Sequence, residues 1–129
     1  MICPYCNKTA ILTTGQIIYP HRSDLAHLRF WQCKPCDAYV GCHKNSKDYK
    51  PLGRLANTEL REWKMKVHEV FDPLWKNNGI SRDKAYQKLS QLLNLRKSDC
   101  HIGMFDVETC KRAVDLIMVS QTKGDKNEQ

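Results

Sequence analysis

Four cysteines in two spaced pairs are the residues of this chain best suited to chemistry. Cys3-Pro4-Tyr5-Cys6 and Cys33-Lys34-Pro35-Cys36 flank an insert of 26 residues, 7–32. Zinc takes four ligands in a tetrahedron with Zn–S of about 2.3 Å, and a Cys-x-x-Cys turn directs two thiolates at one ion while its backbone N–H groups point at the sulfurs. One turn supplies half a site. Two supply a closed four-cysteine site, structural because no coordination position is left for water or substrate. The same residues could instead form a disulfide framework or a redox pair. A thioredoxin-type motif, however, is a single Cys-x-x-Cys within a βαβ pattern, which the sequence lacks. One structural Zn2+ held by Cys3, Cys6, Cys33 and Cys36 is the expected cofactor.

Three further words carry more polar chemistry than packing requires: His21, Arg22 and Asp24; Cys42 and His43; Cys100 and His101. A second metal site built from Cys42 or His43 with Cys100 or His101 is disfavoured, because neighbours on a strand point to opposite faces. Cys42, Cys100 and Cys110 suit the interior as small hydrophobes. His68 and Asp72 are four apart on one helix face, the spacing of a hydrogen-bonded surface pair or of two metal ligands. Asp24 could hold the Arg22 guanidinium for a phosphate, or cap the turn that follows. Trp63 and Trp75 fall on an apolar helix stripe and are expected in the core.

These residues must be positioned by a chain of 129 residues, the size of one ordinary domain or of a zinc module joined to a helical one. With 27% charged residues and ample aliphatic and aromatic content, wholesale disorder is not expected. No run reaches the roughly 18 apolar residues of a membrane span, and Met1-Ile2-Cys3-Pro4 leaves no room for a secretory signal. A cytoplasmic protein without a membrane partner is expected, and seven cysteines fit a reducing compartment. The net charge of +7 is uneven. Residues 1–55 carry eight Lys/Arg against three Asp, a surplus of five, whereas residues 56–120 carry eleven against nine. The surplus sits with the cysteines, which makes a polyanion the first partner to consider.

Along the chain, Thr9 to Tyr19 is rich in β-branched residues and broken at Thr14-Gly15, the pattern of a β-hairpin. Leu28–Gln32 and Asp37–His43 are strands entering and leaving the second cysteine turn. Lys44 to Gly53 is polar, holds Pro51 and Gly53, and is expected to be a linker. Beyond it the period changes. Asn57 can cap a helix carrying Leu60, Trp63, Val67, Val70, Phe71 and Leu74 on one face, with Asn77-Asn78-Gly79 as its stop. Ser81 caps a second helix with Ala85, Tyr86, Leu89, Leu92 and Leu93, and Asp106 a third with Val107, Cys110, Val114 and Ile117. Between them, Ile102, Met104 and Phe105 are too many apolar residues for an exposed connection and are expected to dock the helices on the ribbon. The expected class is α+β: a four-cysteine zinc ribbon of small antiparallel strands (1–53) packed on a three-helix bundle (54–120), one folding unit, with a mobile tail (121–129).

Five words occur in order: Tyr19-Pro20-His21-Arg22-Ser23-Asp24-Leu25, Asp37-Ala38-Tyr39-Val40-Gly41-Cys42-His43, Pro51-Leu52-Gly53, Phe71-Asp72-Pro73-Leu74-Trp75 and Cys100-His101-Ile102-Gly103-Met104-Phe105-Asp106. Together, over residues 1–118, they make the chain resemble a zinc-finger-containing family of small bacterial and bacteriophage proteins, a domain of unknown function. The resemblance implies such a source and a zinc at Cys3, Cys6, Cys33 and Cys36. It brings no reaction with it.

Function is then expected along one of three lines. The first is a non-enzymatic zinc ribbon that binds nucleic acid, or a nucleic-acid-handling machine, through Lys8, Arg22, Arg29, Lys34, Lys44, Lys47 and Lys50, weakly and without base preference because lysines on loops contact phosphates. The second is a small metal-assisted hydrolase or nuclease using His21, His43, His68 and His101 with Asp72 or Asp106, although no catalytic spacing is evident. The third is a phage inhibitor that docks on a host protein.

Overall fold

The computed structural model describes residues 1–77 and 79–127, with side chains described as far as Gln121. The chain divides into two compact units, Met1–Glu59 and Leu60–Gln129. Among the described residues no helix is long and apolar enough to cross a membrane.

In the first unit, strands β1 (Ile11–Thr14), β2 (Arg29–Cys33) and β3 (Ala38–Gly41) form an antiparallel sheet in that order. Phe30 pairs with Thr13 on one side and Gly41 on the other. The period-2 alternation of β2 buries Phe30 and turns Arg29 outward. The Phe30 ring meets Tyr19 and Tyr39 edge-on, with centroids 5.8 and 6.3 Å away. The rest of the interior is small. Cys3, Ala10, Cys33, Ala38 and Leu55 form it, edged by Met1, Cys6, Trp31, Cys36 and Val40. Phe30 and a few alanines and a leucine around thiols bury little apolar surface for such a unit, which leaves much of its stability to a metal.

Only the first arm of the expected Thr9–Tyr19 hairpin is a strand. From Gly15 the chain enters a single helical turn, α1 (Gly15–Ile18), and β1 pairs instead with β2. The reason is a close backbone approach. The Gly15 N–H donates to the Leu28 carbonyl at 2.8 Å, and a Cβ at this position would lie 1.8 Å from the Leu25 carbonyl oxygen. Glycine is required there for packing, and no hairpin turn is made.

Lys44–Gly53, expected to be a linker, folds back on the sheet. The His43 N–H donates to the Lys50 carbonyl and the Leu52 N–H to the Gly41 carbonyl, both at 2.8 Å. The Trp31 indole donates to the Tyr49 carbonyl at 2.8 Å. Past this loop Tyr39 and Ala56 exchange backbone hydrogen bonds of 3.0 and 3.1 Å, and Leu55 is completely buried. The Tyr5 hydroxyl donates to the Leu55 carbonyl at 3.2 Å. These pairings satisfy backbone groups that an open linker would leave to water.

The second unit is helical. In α2 (Thr58–Lys76) the three-and-four spacing buries Leu60, Val67 and Phe71. Pro73 lies inside this helix, whose last turn closes with the Asn77 N–H on the Pro73 carbonyl at 3.1 Å. Gly79 follows at φ +72, and Asn78 lies outside the described residues. The Ser81 Oγ accepts the Lys84 N–H at 3.1 Å and starts α3 (Arg82–Leu93), which ends at left-handed Asn94. Ala85, Leu89 and Leu93 of α3 are buried, as are Cys110, Ala113 and Ile117 of α4 (Val107–Asn127), and the two helices pack together. The Phe71 and Tyr86 rings lie 4.7 Å apart and join α2 to α3.

Trp63 and Trp75, expected in the core, are half-buried. Their faces carry cations: Lys66 Nζ is 4.4 Å and Lys111 Nζ 5.5 Å from the Trp63 centroid, and Lys76 and Arg82 lie over Trp75. The stripe therefore ends in indoles roofed by charged stems rather than inside the bundle. Of the 100–106 word, Cys100, Ile102 and Phe105 are buried but Met104 is 55% exposed, because the one-turn 3-10 helix Ile102–Met104 turns it outward. The Lys64 ammonium donates to the Gly103 carbonyl at 2.8 Å and fixes the bend to α2. α4 continues to Asn127, into the stretch expected to be mobile, and Glu128 and Gln129 lie outside the described residues.

The Asp106 carboxylate accepts the Thr109 N–H at 2.8 Å and caps α4. Asp106→Ala is expected to cost about 1 kcal/mol, and Asp106→Asn a small part of that, because asparagine also accepts this bond. Urea denaturation of the two variants separates a cap from a charge effect: equal losses would exclude the capping role.

Candidate metal centre

The Cys3 and Cys6 turn precedes β1, while Cys33 ends β2 and Cys36 precedes β3. Antiparallel pairing through the sheet brings the two turns together. The four sulfurs all lie within 4.8 Å of one another, and Cys6 Sγ is 3.6 Å from Cys33 Sγ. Thiolates at the corners of a tetrahedron with Zn–S of about 2.3 Å stand about 3.8 Å apart, whereas a disulfide would need about 2.05 Å. All seven cysteines are free thiols. The donor set and spacing fit one structural zinc ion, and no disulfide framework is present.

Local backbone chemistry builds each half of the site in the same way. The residue after each pair is left-handed, Asn7 at φ +63 and Asp37 at φ +49. Asn and Asp are the non-glycine residues that tolerate this conformation best. The Asn7 N–H donates to the Cys3 carbonyl at 2.8 Å and the Asp37 N–H to the Lys34 carbonyl at 3.1 Å, closing both turns. The Lys8 backbone N–H reaches the Cys6 sulfur and draws its pKa down. At Cys33 the Cys36 N–H acts in the same sense, but burial and the Cys3 and Cys6 thiols outweigh it and push the thiol up. Cys36 is pushed up to about 12, by burial first and then by the Cys33, Cys6 and Cys3 thiols. Four crowded thiols resist ionising together. A dication in their midst supplies the charge that makes them thiolates, so metal binding releases protons and weakens as pH falls.

Asn7 and Asp37 are part of the site, although cysteine spacing alone does not point to them. Their signal was present in the sequence, since both pairs are followed at once by a residue able to turn left-handed.

Among the described residues this is the one group of three or more converging metal-ligand side chains, and no histidine belongs to it. His21, His43, His68 and His101 are exposed. The His68 Nδ1 and Asp72 Oδ1 lie 3.1 Å apart on the α2 surface, with Lys76 Nζ 3.8 Å from the other carboxylate oxygen. Arg22 grips Asp24 with two hydrogen bonds, 2.9 and 2.8 Å, in the open. This fork raises the arginine and holds the Asp24 carboxyl below its usual range. Cys100 and Cys110 are buried, and burial pushes Cys110 up to about 11. Cys42, expected inside with them, is only half-buried.

A family model for a zinc-finger-containing domain matches residues 1–120. No curated protein and no solved structure matches the chain.

Proposed function

The chain belongs to the family of zinc-finger-containing domains, and from that premise we propose that it is a non-enzymatic zinc module of bacterial or phage origin, acting in the cytoplasm, that binds nucleic acid through the basic surface of its first unit. One observation carries this. Lys8, Arg22, Arg29, Lys34, Lys44, Lys47 and Lys50 are all exposed, and among the described residues Arg22 alone of the seven is engaged in an ion pair. Six exposed cations without an acidic partner among the described residues, on a unit whose interior is a metal site, leave positive charge available to neutralise phosphates and release counterions. The positions of the five lysines on loops and turns favour contact with backbone phosphates over base edges. A hydrolytic role would need the exposed histidines to act without a shared ligand cluster, and docking on a host protein has no comparable support.

Replacing Lys44, Lys47 and Lys50 together with Ala is expected to weaken binding to a labelled duplex and to flatten the plot of log affinity against log salt by roughly 0.9 for each phosphate no longer neutralised. Anisotropy titrations at two salt concentrations measure both quantities. Absence of binding by the parent protein at low salt would overturn the proposal and leave host-protein docking in its place.

A further inference from the structure

Between the sheet and the folded-back loop lies a polar cleft of about 300 Å³, lined by His27, Arg29, Cys42, His43, Lys44 and Tyr49 among others. His27 and Tyr49 carry no sequence signal for such a role, and only the fold sets them beside Arg29 and Lys44. Tyr49 is the unusual member. It stands at φ +52, a left-handed conformation that a bulky aromatic rarely adopts. The loop enforces it: the Tyr49 carbonyl accepts the Trp31 indole at 2.8 Å, the Tyr49 N–H donates to the Ser46 carbonyl, and the Lys50 N–H donates to the Ser46 hydroxyl at 2.9 Å. The result is a tyrosine 38% exposed at the cleft, with the Arg29 guanidinium 5.8 Å from its ring centroid.

Resting on the nucleic-acid reading above, we infer that this cleft is a subsite for single-stranded nucleic acid, in which Arg29 and Lys44 hold a backbone phosphate and an unpaired base stacks on Tyr49. Cationic groups beside an exposed aromatic are the two components of single-strand recognition: the charges follow the backbone and the ring accepts any base, because every base has a π-face. Arg29 suits the phosphate because its planar fork binds two oxygens, and since it lies over one face of the Tyr49 ring, the base would stack on the other. The volume is at the lower end of small-ligand pockets, enough for one nucleotide unit rather than a helix. A paired base would first have to unpair and unstack, a cost that an already single-stranded base does not bear, so the cleft favours single strands over duplex.

Affinities of a labelled oligothymidine and of a duplex of equal length are compared for the parent, Tyr49→Asn, Tyr49→Phe and Arg29→Gln proteins. Asparagine tolerates the left-handed backbone, so the ring is removed without new strain. Tyr49→Asn is expected to weaken single-strand binding roughly tenfold, the scale of a missing base stack, and to leave duplex binding unchanged. Tyr49→Phe should bind as the parent does, and Arg29→Gln should lower the single-strand salt slope by about 0.7. Zinc content and far-ultraviolet dichroism equal to the parent's certify each variant. Unchanged single-strand affinity for Tyr49→Asn, an equal loss for duplex, or a loss for Tyr49→Phe would each overturn the subsite while leaving the basic-surface reading intact. Failure of the parent to bind either nucleic acid would overturn both.

Discussion

Freshly prepared, reduced protein is expected to carry one equivalent of zinc, and Cys3→Ser or Cys36→Ser to unfold Met1–Glu59 while sparing the helix signal of α2, α3 and α4. The argument is one of scale. Structural zinc contributes on the order of 10 kcal/mol to folding in small four-ligand modules, comparable with the roughly 5–15 kcal/mol that a whole domain possesses. The first unit has little to set against its loss, because around the metal site its interior consists of Cys3 and Cys33 with Ala10, Ala38 and Leu55, and Phe30 is the one large aromatic buried beyond them. Without the ion, Cys36, pushed up to about 12, and its neighbours remain crowded thiols with no shared partner. Serine at either position supplies a hydroxyl too weakly acidic to replace a thiolate. Cys100→Ser is the control. Cys100 is buried outside the metal site, so this variant should lose stability but keep its zinc. Metal analysis with circular dichroism decides the matter: less than half an equivalent in the parent, or a Cys36→Ser protein that retains both metal and tertiary structure, would remove the zinc site.

Phe105→Ala is expected to cost about 3–5 kcal/mol, the range for truncating a buried phenylalanine. Phe105 is only 3% exposed, and it follows a one-turn helix whose Ile102 is likewise buried and whose Gly103 carbonyl is held by Lys64. This tether restrains the segment from collapsing into the space left behind, which places the cost in the upper part of the range. The melting temperature should fall by on the order of 10 °C or more. His101→Asn, a change at an exposed side chain, should leave it where it was. Calorimetry also shows whether the two units unfold in one transition, as the sequence leads one to expect. A Phe105→Ala protein melting within a degree or two of the parent would show that the 100–106 segment contributes nothing to the fold.

Local chemistry in the sequence determined the ligands and the helices. Cys-x-x-Cys spacing specifies a half-site within four residues, three-and-four apolar spacing specifies a helix face within two turns, and Ser81 and Asp106 cap through bonds to residues three positions on. Each signal is complete within a few residues, so neighbouring sequence suffices to read it. Tertiary structure decided which backbones pair and which side chains lose water. β1 finds its partner across 14 intervening residues, Ile11 to Gln32 at one end and Thr14 to Arg29 at the other, because Gly15 must pack against the Leu25 carbonyl. The apparent linker is part of the first unit because Trp31 binds Tyr49 and Leu55 fills the gap beside the cysteines. Tyr49 reaches the cleft, and Trp63 and Trp75 stay under lysines and arginine, for the same reason. Burial and long-range hydrogen bonding depend on partners distant in sequence, and no residue states its own partner.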